Sequence, residues 1–294
     1  MTPASKKEWK HLVARVDAAL DRFLPQEKTP PRELHRAMRY SVFAGGKRLR
    51  PVLCLLAGRM VGARVSALLP AACAIEMVHT YSLIHDDLPA MDDDDFRRGK
   101  PTSHKVFGEA LAILAGDALL TLAFETVSRR TKDGVLAATL TRELSAAAGS
   151  DGMVGGQTFD ILSEGKEPDA NLVEEIHKRK TAALIRASVR MGALVGQASK
   201  RELRDLTRFG ETVGLLFQVT DDLLDELGDD RRMGKRVHKD AEQGKQTYPR
   251  VHGLDRTREI AEKLAGKAER ALEKYPKRAD VLREVPRFIL SRAR

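Results

Sequence analysis

The chain has 294 residues, a 42% hydrophobic fraction, a net charge of +9 and two cysteines. That length allows one large core or two smaller ones, and two cysteines exclude a disulfide-stapled scaffold and fit a reducing compartment. Residues 231–294 carry 19 Lys and Arg against 9 Asp and Glu, a net of +10, so the rest of the chain is near −1. A basic third could bind nucleic acid or an anionic surface. Acidic residues interleave it throughout, however, so it reads as a solvated helix face, and no nucleic-acid partner is expected. The first ten residues lack the apolar core of a signal peptide. No run approaches the ~20 uninterrupted apolar residues of a membrane span; the nearest, residues 110–124, is broken by Asp117. A cytoplasmic protein without stable membrane insertion is the expectation.

Aromatics are few and Ala, Leu, Arg, Glu and Lys are many, which favours helix, and strand signals are weak throughout. Residues 5–23 place Leu12, Val13, Val16, Ala19, Leu20 and Phe23 at helical spacing. Pro25, Pro30 and Pro31 break the chain, and a helix then runs to about Phe43, stopped by Gly45-Gly46. Pro51 fits the first turn of the next helix, which runs to about Val61. Another runs from about Ser66 to an aspartate cluster, where Pro89 ends or distorts it. Further helices are predicted over 103–130, 133–148, 152–163, 169–196, 200–227, 255–275 and 278–291, with 228–247 a long charged loop. Pro168-Asp169 marks one helix start. No linker divides the chain, so one all-α domain over residues 1–294 is expected.

Two acidic clusters follow apolar helical runs. The first reads His85-Asp86-Asp87-Leu88-Pro89-Ala90-Met91-Asp92-Asp93-Asp94-Asp95, with Arg97-Arg98 just beyond; the second is Asp221-Asp222-Leu223-Leu224-Asp225. Like charges this close repel, so a cation must hold them ionised. Grouped carboxylates suit magnesium, which binds through a few carboxylates plus substrate phosphates. Asp221 and Asp225, at i and i+4, share a helix face. Asp86 and Asp92 stand about 240° apart on an ideal helix, so they converge only if the helix breaks, as Pro89 allows.

HDDLPAMDDDDFRRG and FQVTDDLLD resemble the two aspartate-rich motifs of the trans-isoprenyl diphosphate synthase (polyprenyl synthetase) family. The spacer in DDLPAMD is most like the bacterial farnesyl type and the related geranylgeranyl type. GGKRLRP (45–51), GMVGGQ (152–157), HKRKT (177–181) and GKQTYP (244–249) stand in the family's order over nearly the whole chain. The resemblance implies an all-α bundle of ten or more helices around a deep central cavity (the isoprenoid synthase type I fold), with both aspartate motifs at its mouth, and a homodimer. It implies that Asp86, Asp92 and Asp221 bind Mg2+ on an allylic diphosphate, with Asp87, Asp222 and Asp225 as supporting members. It places Arg97, Lys180 and Lys245 on that diphosphate, and Thr181 and Gln218 near the forming carbocation. Lys47, Arg50, His79 and Arg98 match a metal-free pocket for isopentenyl diphosphate, and Lys235 a further diphosphate-facing lysine.

The implied reaction is ionisation of the allylic diphosphate, condensation with isopentenyl diphosphate, and loss of a proton with release of pyrophosphate. Preorganised cations are the main catalytic device for such charge development. Ser82 lies four residues before Asp86, about 6 Å deeper on nearly the same helix face, while Tyr81 lies about 140° to the side. An aromatic at position 81 commonly acts in the family as a floor that stops growth at fifteen carbons, which favours farnesyl diphosphate over geranylgeranyl diphosphate. A non-catalytic synthase subunit would usually lose aspartates from one motif. A terpene cyclase would have no use for Lys47 and Arg50.

Overall fold

The structure, a computed structural model, describes residues 1–228, 244–275 and 277–293. Among these residues the regular structure is helical, apart from one two-residue antiparallel ladder. Helix α1 (Pro3–Phe23) begins where the Thr2 hydroxyl accepts the Ser5 amide at 3.2 Å, a side-chain cap for an otherwise orphaned N–H. α2 (Arg32–Val42) stops before the glycine pair, α3 (Leu49–Met60) carries Pro51 in its first turn, and α4 (Val65–Asp86) ends at the first aspartate of its cluster.

The helix predicted over 103–130 is divided. Gly108, at φ 82°, separates α5 (Ser103–Phe107) from α6 (Glu109–Arg130). Just before it, β1 (Phe96–Arg97) pairs with β2 (Lys100–Pro101) in a hairpin too short to leave an alternating pattern in the sequence. α7 (Gly134–Ala148) and α8 (Met153–Leu162) follow. The helix expected over 169–196 starts on Asp169, whose carboxylate accepts the Asn171 and Leu172 amides. It comprises α9 (Ala170–His177), a π-helical turn over Lys178–Ala182, and α10 (Ala183–Val195). α11 (Lys200–Glu226) opens with a Ser199/Glu202 capping box, which satisfies two donors reciprocally. A short α12 (Tyr248–His252), α13 (Leu254–Ala271), α14 (Asp280–Leu290) and a 3-10 turn (Ser291–Ala293) complete the described chain.

α4 is apolar all round rather than striped, the pattern of a helix enclosed by others. It packs against α3, α6 and α10, and α11 packs against α10 and α13. Leu68, Cys73, Ile75, Met77 and Val78 of α4 are fully buried, each large apolar side chain contributing about 1.5–3 kcal/mol on burial. The two cysteines, Cys54 and Cys73, are free and buried. Gly192 of α10 meets α3 at backbone distance: a Cβ there would lie 2.1 Å from the Cys54 carbonyl oxygen. Although no unbroken apolar run reaches membrane length, α4 and α6 are each long and apolar enough to cross a membrane. α4 is mostly buried inside the protein, whereas α6 leaves Ile113 and Leu114 exposed.

Candidate active site

The first aspartate cluster gains its shape from the end of α4. Asp86 is the last helical residue, and the chain then doubles back: the Asp92 amide donates to the Asp86 carbonyl at 2.8 Å, and those of Asp93 and Asp94 to Leu88 and Asp87. This brings Asp92 beside Asp86, which a continuous helix would prevent. Loss of hydration pushes the Asp86 carboxyl up to about 6; Lys180 opposes this, and Asp92 adds to it. Asp87 is engaged elsewhere. Its carboxylate accepts the Arg97 Nε at 2.6 Å, and it lines a separate small cavity beside Tyr40 and Thr80.

The second cluster lies on α11, across a cavity of about 160 Å³ lined by Asp86, Asp92, Lys180, Asp221, Lys245 and Gln246 among others. Asp221 faces this space and pairs with Arg292 at 3.0 Å. Asp222, by contrast, is built into the wall. Its Oδ1 accepts Gln218 Nε2 at 3.0 Å, and its Oδ2 accepts the Tyr248 amide at 2.9 Å, with His177 Nε2 at 3.4 Å. Gln218 in turn accepts the Thr181 hydroxyl at 2.7 Å. One bonded chain therefore fixes Thr181, Gln218 and the start of α12. Burial pushes His177 down to about 3, so it is neutral, and its ring stacks on Tyr248 at 5.2 Å. Asp225 is 4% exposed and does not line the cavity. Sharing a helix face at i, i+4 thus does not give Asp221 and Asp225 the same environment.

The lysines arrive from different elements. Lys245 Nζ lies 3.0 Å from Asp92 Oδ1, and Lys180, on the π turn, lies 2.6 Å from Asp160 Oδ2. Burial pulls the Lys180 ammonium down, but Asp160 and Asp86 more than offset it and hold it above its usual value. Asp160 was not anticipated from the sequence. The available signal is the Gly155-Gly156 pair, since Gly156 and Asp160 stand at i, i+4 on α8. A Cβ on Gly156 would lie 2.1 Å from the Lys180 amide nitrogen, so the glycine admits the π turn and the aspartate receives its lysine. Lys235 lies outside the described residues.

A second cavity of about 220 Å³ adjoins this one, lined by Lys47, Arg50, His79, Arg98, Phe217 and Arg292 among others. Arg50 Nη1 is 3.2 Å from His79 Nε2. Burial, then Arg50 and Arg98, drive His79 well below its usual range, so it faces the pocket as neutral imidazole. Burial also lowers Arg50 to about 10. Arg97 and Arg98 reach different sites from a hairpin rather than from a helix. Arg97 ends β1, Arg98 sits in the hairpin turn at φ 53°, and the Arg98 guanidinium donates to the Gly45 carbonyl. Gly46 makes room for it, because a Cβ there would fall 2.6 Å from Arg98 Nη1.

Below Asp86, Tyr81 is buried and meets His85 edge-on at 5.7 Å, while the Ser82 hydroxyl donates to the His79 carbonyl at 3.0 Å. His85 Nε2 lies 3.1 Å from the Ile113 carbonyl, against Gly116 of α6. Among the described residues no three acidic, histidine or cysteine side chains converge closely enough to hold a metal by themselves. Asp86, Asp92 and Asp221 instead offer hard oxygen donors from opposite walls, as fits a cation that takes its remaining ligands from water and a bound phosphate.

A helical enclosure with carboxylates on facing walls, lysines between them and a separate cationic pocket alongside defines a protein that handles two diphosphates. The chain belongs to the polyprenyl synthetase family, whose model matches residues 31–285, and it is a trans-prenyltransferase of the farnesyl/geranylgeranyl diphosphate synthase group. It is 51% identical over 256 residues to the heterodimeric geranylgeranyl pyrophosphate synthase large subunit 1, chloroplastic, of Arabidopsis thaliana, covering 85% of this chain and 68% of that one. Among solved structures, an FPP/GFPP synthase from Zymomonas mobilis superposes with a TM-score of 0.88 at 36% identity, covering 99% of this chain and 100% of that one. A geranyltransferase from Helicobacter pylori, complexed with magnesium and isoprenyl diphosphate, superposes with a TM-score of 0.86 at 31% identity, covering 99% and 98%.

Proposed function

We propose that this enzyme condenses isopentenyl diphosphate with an allylic diphosphate to give geranylgeranyl diphosphate, with Mg2+ between the aspartate walls. The observation that carries the two-substrate reading is the pair of adjoining cavities, one acid-walled with lysines, the other cationic. Bound magnesium would neutralise charge on the leaving diphosphate, and Asp86, Asp92 and Asp221 are the residues to hold it. Lys180 and Lys245 are placed to take up the charge that develops as the allylic C–O bond breaks. Thr181 and Gln218, held by Asp222, bound the space where the carbocation forms. Lys47, Arg50 and Arg98 orient the second diphosphate, and neutral His79 adds a hydrogen-bonding group without further charge.

The twenty-carbon product follows the name of the Arabidopsis relative and replaces the farnesyl reading as the first choice. Tyr81, buried on α4 ahead of Asp86, supports farnesyl diphosphate as the second reading, through the family resemblance of an aromatic floor at this position. Incubating the protein with magnesium, isopentenyl diphosphate and dimethylallyl, geranyl or farnesyl diphosphate tests both. Conversion of farnesyl diphosphate to a C20 product supports the first reading, arrest at C15 supports the second, and no product with any starter sinks both. The chain is read as one catalytic unit that self-associates through the exposed apolar face of α6. Ile113→Glu should shift its sedimentation towards monomer, and an unchanged profile would remove that assignment. The cytoplasmic placement expected from sequence stays a proposal; the Arabidopsis relative is named chloroplastic.

A further inference from the structure

Arg48 stands between two cations of the metal-free pocket and turns its own charge inward. Its backbone is left-handed (φ 49°) at the N-cap of α3, an uncommon conformation for a residue other than glycine or asparagine. Its side chain is 3% exposed and engaged along the whole fork. Nε donates to Asp17 Oδ1 at 2.8 Å, Nη1 to Glu76 Oε1 at 2.7 Å and Nη2 to the Val42 carbonyl at 2.7 Å. Glu76 is 2% exposed, sits on α4 three residues before His79, and is the one carboxylate among the described residues lining the pocket. Its charge acts on Arg50 and Arg98 as well as on Arg48. A buried carboxylate among cations is a resident competitor for an incoming anion unless another cation holds it. The planar Arg fork suits that task and leaves little freedom to the carboxylate it grips.

We propose that Arg48 is a positioning residue for the metal-free diphosphate pocket: it sequesters the Glu76 carboxylate, so that Arg50 and Arg98 stay available to an incoming diphosphate. Lys47, Arg48 and Arg50 all border this cavity, and of the three the Arg48 fork is the one committed to Glu76, Asp17 and the Val42 carbonyl. The inference rests on the reading of that cavity as the isopentenyl diphosphate site.

A double-mutant cycle separates this role from simple support of the fold. Arg48→Asn keeps a residue that tolerates the left-handed backbone and releases Glu76; Glu76→Gln then removes the competitor. KM for isopentenyl diphosphate and for the allylic substrate is measured for wild type, R48N, E76Q and R48N/E76Q, with isopentenyl diphosphate binding followed by calorimetry. R48N should weaken isopentenyl diphosphate about tenfold or more and leave the allylic KM within about twofold, while R48N/E76Q recovers to within about threefold of wild type. Should R48N not fold, R48K against R48K/E76Q completes the same cycle, since a lysine cannot reproduce the fork. An unchanged R48N, or a loss that E76Q does not relieve, overturns the inference while leaving the pocket assignment intact. Wild-type protein that neither binds isopentenyl diphosphate nor condenses it overturns the pocket assignment itself, and this inference with it.

Discussion

Phe217 of α11 lines one cavity and Gln218 and Asp221 line the other, yet the two solve opposite electrostatic problems. Among the described residues, both lysines lining the acid-walled cavity have a carboxylate partner: Lys180 has Asp160, and Lys245 has Asp92. The carboxylates lining it, Asp86, Asp92, Asp160, Asp221 and Asp222, still outnumber the cations Arg97, Lys180 and Lys245, and loss of hydration leaves Asp86 holding its proton more tightly than usual. In the second cavity the balance is left positive. Lys47, Arg50 and Arg98 face one carboxylate, which Arg48 occupies, and His79 is kept neutral. The first arrangement suits a diphosphate that arrives with metal; the second suits one that arrives bare. Two diphosphates can therefore be distinguished by the charge each site lacks, although their head groups are chemically alike.

The comparison breaks most sharply at Asp221. Asp221→Ala should lower kcat by about 10³-fold with the helical content unchanged, as expected for loss of a group acting on the developing charge. Retained turnover in magnesium would show that the acid wall is not the catalytic side. Arg50→Ala should act on the other side alone. KM for isopentenyl diphosphate should rise by at least about 30-fold, the effect of removing one partner of a buried charged contact, with the allylic KM little changed. Equal losses for both substrates would merge the two sites into one.

Tyr81→Ala removes a buried aromatic side chain on α4, the helix that ends at Asp86. Its main product should lengthen by one five-carbon unit, read by chromatography of the dephosphorylated alcohols. An unchanged distribution would place the limit on chain length elsewhere. The smallest effect concerns Asp86 in metal-free protein. Its folded value of about 6 lies above that of an unfolded aspartate, so the native state binds more protons between about pH 4 and 6. Its contribution to stability is present below that window and lost as pH rises through about 6. Melting temperature without magnesium should therefore fall across this range, and Asp86→Asn should flatten the slope. Magnesium with a diphosphate should reverse it by favouring the ionised carboxylate.

Much of the helical order is legible in the sequence because its punctuation is local. Pro51, the Asp169 cap, the Ser199 cap and the Gly45-Gly46 stop each act within a turn of their own position, and structure and pattern agree there. The need for a break between Asp86 and Asp92 is likewise readable from helix geometry. What pattern reading misses is set by partners distant in sequence. The π turn at Lys178–Ala182 lies against Gly156, and Asp160 becomes significant only when that packing brings Lys180 to it. Asp225 shares a face with Asp221 on a helix projection and Asp222 adjoins it, but α12 and His177 claim Asp222 and burial claims Asp225.

By itself, then, the sequence determined the acidic and basic groups, the helices that carry them and the turns that interrupt those helices, because residue chemistry and backbone propensity operate over a few residues. Only the tertiary structure decided which carboxylates face the cavity, which are bonded into its wall, and that Arg97 and Arg98 diverge to different sites through a hairpin. Those outcomes depend on which partner each buried polar group is given in the folded state, and the partners come from helices far apart along the chain.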